Sequence, residues 1–280
     1  MTAVASPTTR FVPTDARLTF PHLLRSEWIK LTSLRSTVWS VGLIILSGVG
    51  LSVLYALSAA GSGFQTEPSV GFTLGTVTIG VVFGQIIAAV LGVLAISGEY
   101  STGMIRSTLT AVPARLPVLA AKTLVMFGLV FAVGLITLIA SWAATYPVYA
   151  ADGIATALTA PGFLLALLGG AAYLGLTAAF GLGIGAVLRS SAGGISVVLG
   201  VILGLQIFLP LAGLAFEWVW DVRPFTFDQA GAAMASLPSD GAAESDIPGP
   251  LQPWLGGLVV LAWTSVSLAA ASILLRRRDA

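Results

Sequence analysis

The sequence predicts an all-α polytopic membrane protein: six transmembrane helices preceded by an interfacial amphipathic helix. Three observations predict it. Of the 280 residues 56% are hydrophobic and only 9% are charged. The charges fall between long apolar runs rather than among them, and each of six such runs reaches the roughly 20 residues needed to cross a hydrocarbon core. The basic residues also divide unevenly between the two sets of connections, as an oriented bundle requires.

Residues 1–19 are polar and carry Pro7 and Pro13. They read as a disordered cytoplasmic tail. They do not read as a secretory leader, because the first apolar run begins near residue 38 and is too long for one. Residues 20–36 follow as the interfacial helix. At 100° per residue Phe20, Leu23, Leu24, Trp28, Leu31 and Leu34 share one arc, with His22, Arg25, Ser26, Lys30 and Ser33 elsewhere, which is the pattern of a helix lying in the membrane surface. Glu27 breaks the pattern by projecting within the apolar arc, where a carboxylate is costly against lipid. Two readings stand for it: an (i, i+3) pair with Lys30 at headgroup level, or a polar contact with a cytoplasmic partner or loop.

The six spans are read at 38–60, 75–97, 118–143, 162–188, 192–216 and 252–275. Between the fourth and fifth only Arg189, Ser190 and Ser191 intervene, enough for a tight turn. With the N-terminus inside, twelve basic residues lie on the cytoplasmic side and only Arg223 outside. This predicts an N-in/C-in topology in a bacterial plasma (inner) membrane. The acids Glu67, Asp152, Glu217, Asp221 and Asp228 fall on the outer side, with Trp142, Tyr146, Trp218, Trp220 and Trp254 as interface markers. The 217–251 loop is extracellular, with a flexible tip over 236–250, and 276–280 form a short cytoplasmic tail ending the basic stop-transfer run that begins at Arg276.

Small residues recur every fourth position in three spans: Thr76, Gly80, Gly84, Ala88 and Gly92; Ala171, Gly175, Ala179 and Gly183; Ser196, Gly200 and Gly204. Such stripes let helices approach closely in lipid. The first is the strongest candidate for a helix interface. Gln85 and Gln206 are the main polar side chains within the spans, best read as hydrogen-bonding to neighbouring helices. The spans hold no interior Asp or Glu, and their one cation is Lys122 near the cytoplasmic edge, so no ion-coupling site is evident.

The absence of cysteine excludes disulfides and thiolate metal sites, and the single histidine, His22, cannot build a multi-histidine site. No metal or cofactor site is expected. No P-loop, H-E-x-x-H or nucleophile-elbow serine is present, so no enzymatic activity is expected of this chain. The charge pattern speaks of topology, not of nucleic acid.

Residues 98–117, GEYSTGMIRSTLTAVPARLP, form a polar island between two apolar runs. Ser101 or Thr102 is placed to cap a short helix over 103–112, which Pro113 would end. The pattern Glu99, Gly103, Met104, Leu109, Pro113 and Arg115 resembles the segment after the second membrane helix of ABC-2 type transporter permeases. RSEWIKLTSLRST near the N-terminus and VRPFTFDQAG near residue 225 resemble bacterial members as well, and the similarity spans most of the chain. The resemblance implies a permease subunit that pairs as a homodimer or with a second permease and engages a separate ABC ATP-binding subunit, where ATP would bind. It implies an exporter of a hydrophobic or amphipathic compound such as a drug, lipid or peptide. The residues it assigns to coupling with the ATP-binding subunit are Glu99, Thr102, Gly103, Arg106, Pro113 and Arg115, with Glu27, Trp28 and Lys30 of the interfacial helix. The alternative class is a non-transporting membrane anchor or sensor subunit that recruits a cytoplasmic partner.

Overall fold

The computed structural model describes residues 19–60, 67–104, 115–238 and 251–277. Among them every regular element is helical: α1 (Phe20–Ser33), α2 (Arg35–Ala59), α3 (Val70–Thr78), α4 (Val81–Ser101), α5 (Arg115–Ala151), α6 (Phe163–Leu188), α7 (Ser191–Leu199), a π turn (Gly200–Gly204), α8 (Leu205–Gly213), α9 (Trp218–Val222), a 3-10 turn (Arg223–Phe225), α10 (Phe227–Met234) and α11 (Pro253–Arg277). In lipid a backbone must satisfy its own hydrogen bonds, and helices do so within one segment. Six helical stretches are long and apolar enough to cross a membrane: α2, α3–α4, α5, α6, α7–α8 and α11. The all-α polytopic expectation holds.

The hub is α6. Within its most apolar stretch 67% of the residues are buried, against 11% for α7–α8 at the periphery. Gly and Ala make this packing possible. The α4–α6 contact is the most extensive in the bundle, and it runs along the predicted stripe. A Cβ at Gly92 would fall inside the van der Waals radius of the Ala178 carbonyl oxygen, one at Gly181 would strike the Ala89 carbonyl, and Ala88 is fully buried. Farther along the stripe, Gly80 lies directly on the Gly48 backbone of α2. In α6 a Cβ at Gly175 would stand 2.8 Å from the Phe127 ring of α5, and one at Gly183 would stand 2.5 Å from the Ser267 hydroxyl of α11. The fifth-span stripe behaves differently. Gly200 has nothing within 4 Å of a built Cβ, and the stretch between its two glycines is the π turn, which packs into the core through Ile202 rather than through the glycines.

Three departures from the expected spans have local causes. The second span begins at Val70 and breaks at Ile79–Gly80 into α3 and α4, where Gly80 meets α2. The third is helical from the first described residue, Arg115, and runs eight residues past Ala143 to Ala151. Pro147 sits within the helix on its exposed face, and beyond it Tyr149 is fully buried, 2.7 Å from the Thr76 hydroxyl. The interfacial helix ends one turn early: Leu34 is extended (ψ 128°), so Arg35 starts α2 instead of continuing α1.

The 217–251 loop departs most. Its first half folds back onto the bundle. Phe227 is fully buried and stacks on Phe180 at 4.7 Å between ring centroids, and Gly231 lies against the Tyr173 ring. Gly169 and Gly256 admit the backbone of α10 at Met234 and Ala230. The cause is legible in composition: Phe227, Ala230, Ala233 and Met234 recur at helical spacing, which lets α10 bury one face. Trp218 and Trp254 are well exposed, whereas Trp142 and Trp220 are half-buried and donate their indole N–H to the Thr156 and Gly213 carbonyls. The tip, 239–250, lies outside the described residues, as do the 1–18 tail and 278–280.

The first and last described helices meet one end of the bundle. Arg115 Nη1 donates to the Leu275 carbonyl at 2.7 Å, and Ser97 bonds Ser191 at 2.8 Å. These contacts place the end of α4, the start of α5, the start of α7 and the end of α11 together at a basic end, where Lys122 also pairs with Glu27 of α1. Asp152, Asp221 and Asp228 lie toward the opposite, acidic end.

Candidate functional site

The basic end carries a cluster of four charges drawn from three helices. Glu27 and Lys30 come from α1, Glu99 from the last turn of α4, and Lys122 from the second turn of α5. Lys122 Nζ lies 2.5 Å from Glu27 Oε2 and 2.8 Å from Glu99 Oε1. Lys30 Nζ lies 2.7 Å from Glu27 Oε1 and 3.4 Å from Glu99 Oε1. Two carboxylates and two ammonium groups therefore alternate in a ring with no net charge. Glu27, Glu99 and Lys122 are buried, whereas a quarter of the Lys30 side chain reaches the surface.

Each helix presents its charge for a local reason. The inward face of α1 is Leu23, Leu24, Glu27 and Leu31, packed on α5. Glu27 thus sits where the arc placed it, but facing protein rather than lipid. The (i, i+3) pair with Lys30 is present, and the carboxylate also bridges α1 to Lys122 of the bundle, a contact neither reading named. Lys122 projects from α5 at the depth of Glu99, so the one cation inside the spans meets the one acid at their edge.

Burial alone pushes the Glu27 carboxyl up, but Lys122 and then Lys30 more than reverse this and hold it below its usual 4.5. Burial likewise pushes Lys30 down, yet its bonds to Glu27 and the charge of Glu99 raise it above 10.5. A depressed carboxyl contributes stability above its unfolded value and loses it as pH falls through the folded one. A raised ammonium contributes below its unfolded value and loses it as pH climbs through the folded one. The network therefore holds α1 across neutral pH and releases it toward acid. Melting temperature of the purified chain is expected to fall on acidification from about pH 7 to about pH 3, with the fall shallower in Glu27→Gln. Equal acid limbs in the two proteins would contradict this assignment.

Beside the ring opens a cleft of about 430 Å³ bounded by α1, the start of α2, α4 and α5. Its floor is Glu27, Lys30, Glu99 and Lys122, and its walls include Leu31, Leu94, Val125 and Met126. Glu99 Oε2 is buried and has no hydrogen-bond partner among the described residues.

No family model and no curated protein matches the chain.

The remaining coupling candidates are dispersed. The Trp28 ring is 47% exposed on the outer side of α1. The Ser101 and Thr102 hydroxyls both donate to the Gly98 carbonyl at the end of α4; the helix they are placed to cap lies outside the described residues from 105 onward. Gly103, in the left-handed region at φ +71°, ends that helix. Arg115 is tied to the end of α11, away from the ring. Arg106 and Pro113 lie outside the described residues, as does most of the 103–112 helix expectation. Arg189 adopts a left-handed conformation (φ 53°) between α6 and α7, with its guanidinium 5.0 Å from the centre of the Tyr100 ring. Neither the Arg189–Tyr100 contact nor the Lys122 links are predicted by the sequence, where the two count as basic residues of the cytoplasmic side. Two opposite charges just inside adjacent apolar runs were the available signal for the Glu99–Lys122 pair.

Proposed function

We propose that this chain is the membrane-spanning permease subunit of an ABC-2 type transporter. A separate ATP-binding subunit would supply the energy, and the bundle would export a hydrophobic or amphipathic compound across a bacterial plasma membrane. The observation that carries the reading is the buried charge ring. It fastens the peripheral helix α1 to two membrane-spanning helices at one end of the bundle, so a push on α1 is transmitted to α4 and α5 as one unit. Salt bridges in a low-dielectric setting are specific in geometry even where their net stabilisation is small. A lever that an outside engine moves needs such a joint.

On this reading the basic end is cytoplasmic, in keeping with the twelve-to-one division of basic residues. The ATP-binding subunit would grip the outer side of α1 around Trp28 and the segment following α4. A second permease would cover part of the lipid-exposed surface, where α2 and α7–α8 bury the least of their apolar area.

Affinity purification in mild detergent followed by reconstitution tests the proposal. An ATPase is expected to accompany the chain, and vesicles holding both are expected to move an amphipathic cargo only with ATP. Trp28→Ala is the variant of choice, since its half-exposed ring can be removed without opening the core. It is expected to insert and melt as wild type does while losing most ATP-dependent transport. Transport by the chain alone, without a nucleotide-hydrolysing companion, would refute the proposal. A co-purifying partner with no cargo movement under any condition would favour the anchor reading.

A further inference from the structure

The acidic end of the bundle holds a second cavity of about 410 Å³, unconnected with the charge ring. It lies where α3, α4, α6, α8 and α10 converge. Its polar lining includes Gln85, Tyr173, Gln206, Asp228 and Gln229, besides the Thr78 and Ser236 hydroxyls, which donate to the Leu74 and Ala233 carbonyls; Leu74, Ile79, Val82 and Leu237 supply apolar wall. Most of its surface is apolar. The cavity exists because α10 folds back beneath the outer loop and carries Asp228 into the bundle.

Asp228 is the unusual member. The residue is 5% exposed. Its Oδ2 accepts one bond, from the neutral Gln229 amide at 3.1 Å, and its Oδ1 has no donor among the described residues. Those residues offer it no ion pair either. The Tyr173 hydroxyl is spent on Gln85 Oε1. A buried carboxylate with acceptor capacity to spare is costly unless a charged donor meets it. The acids at this end, Asp152, Asp221 and Glu217 among them, bias the approach toward cations. Gln229 is itself part of the cavity wall, and its amide occupies one of the places where a ligand N–H would bond.

We propose that this cavity binds a protonated organic amine with an apolar body, the N–H groups meeting the Asp228 carboxylate and the body filling the space between α3, α4 and α10. As a statement about cargo, this rests on the permease reading; as a statement about binding, it stands without it. The ammonium belongs either to a free amphipathic amine or to an aminophospholipid headgroup, and both present the same N–H chemistry.

The test uses the full chain in phosphatidylcholine nanodiscs, without ATP or partner, titrated with dansylcadaverine, a primary amine on a fluorescent apolar body. Saturable binding is expected above that of empty discs. Asp228→Asn is expected to weaken it by about tenfold or more, and the N-acetylated probe, which has lost its charge, is expected to bind poorly to wild type and to be indifferent to the substitution. Gly75→Leu provides a second variant, because Gly75 lines the cavity and has nothing within 4 Å of a built Cβ. A leucine there is expected to fill the space and to lower affinity comparably. The inference is overturned if wild type shows no saturable binding, if the acetylated probe binds as well as the amine, or if both variants bind as wild type does. Repeating the titration with phosphatidylethanolamine in the discs separates the sources. A weakened apparent affinity assigns the site to the lipid ammonium, and an unchanged one assigns it to a free amine. Because neither nucleotide nor transport enters the readout, failure here leaves the permease proposal intact, and failure of ATP-driven export leaves the amine site intact.

Discussion

Lys122→Met is expected to destabilise the protein by about 3–5 kcal/mol, the usual consequence of removing one member of a buried ion pair. Lys122 contributes the two shortest links of the ring apart from the Lys30–Glu27 pair, at 2.5 and 2.8 Å, and no other ammonium reaches Glu27 Oε2. Without it, among the described residues the two buried carboxylates keep ion pairs with Lys30 alone, which is partly exposed and stands 3.4 Å from Glu99. The expected signs are poor recovery from detergent and a lower unfolding midpoint in dodecyl sulfate. The reasoning has a counterpart. Because the cost comes from uncompensated charge, neutralising the set together, as Glu27→Gln with Glu99→Gln and Lys122→Met, is expected to restore most of the loss. The triple variant then isolates the mechanical role of the ring, since it folds but joins α1 to α4 and α5 without charge. A single variant that unfolds at the wild-type midpoint would show that the ring carries little energy. A triple variant no more stable than the single would show that packing, rather than charge, governs this corner. Glu99→Gln alone is a poor probe of coupling for the same reason: it unbalances the ring and confounds folding with function.

Six spans were legible because crossing a membrane is a one-dimensional property, set by the length and apolarity of contiguous residues. The small-residue stripe through Gly80, Gly84 and Gly92 was legible because a period of four marks one helix face. The partner of that face was not, since α6 carries small residues on several faces at once. The charge ring was half legible. Glu27 stood out against the apolar arc, but joining it to Lys122 requires closure across 95 positions of sequence, which no local pattern encodes. The burial of Asp228 was not legible for a different reason. Acids mark this loop as an outer segment, although Phe227, Ala230, Ala233 and Met234 already spell a buried helical face. That face carries the acid inward with it. In both sites, therefore, the functional candidate is a charged residue flanked by the apolar spacing of a packed helix. Glu27 sits between Leu24 and Leu31, and Asp228 follows Phe227.

Gly92→Leu tests the packing that holds both ends in register. A substituent at Gly92 meets the Ala178 carbonyl and, at 2.9 Å, the Leu182 nitrogen. These are backbone atoms of a buried helix, which cannot rotate aside as a side chain can. To admit leucine, α4 and α6 must part along their most extensive contact, and Gln85 and Glu99 move with α4 because all three lie on one continuous helix. Overpacking a fitted core costs about 1–3 kcal/mol, and more when the obstacle is main chain. We therefore expect a loss of about 3 kcal/mol or more, despite the gain of up to about 1 kcal/mol in helix propensity on replacing glycine. Gly200→Leu is the matched control. It makes the same change in hydropathy within a span, but its Cβ meets open space, so its unfolding midpoint is expected to stay at or near that of wild type. If the two variants are equally harmful, the penalty belongs to leucine in this bilayer setting rather than to the α4–α6 contact. If Gly92→Leu alone fails, the two sites are joined by one rigid helix whose position is fixed at its midpoint.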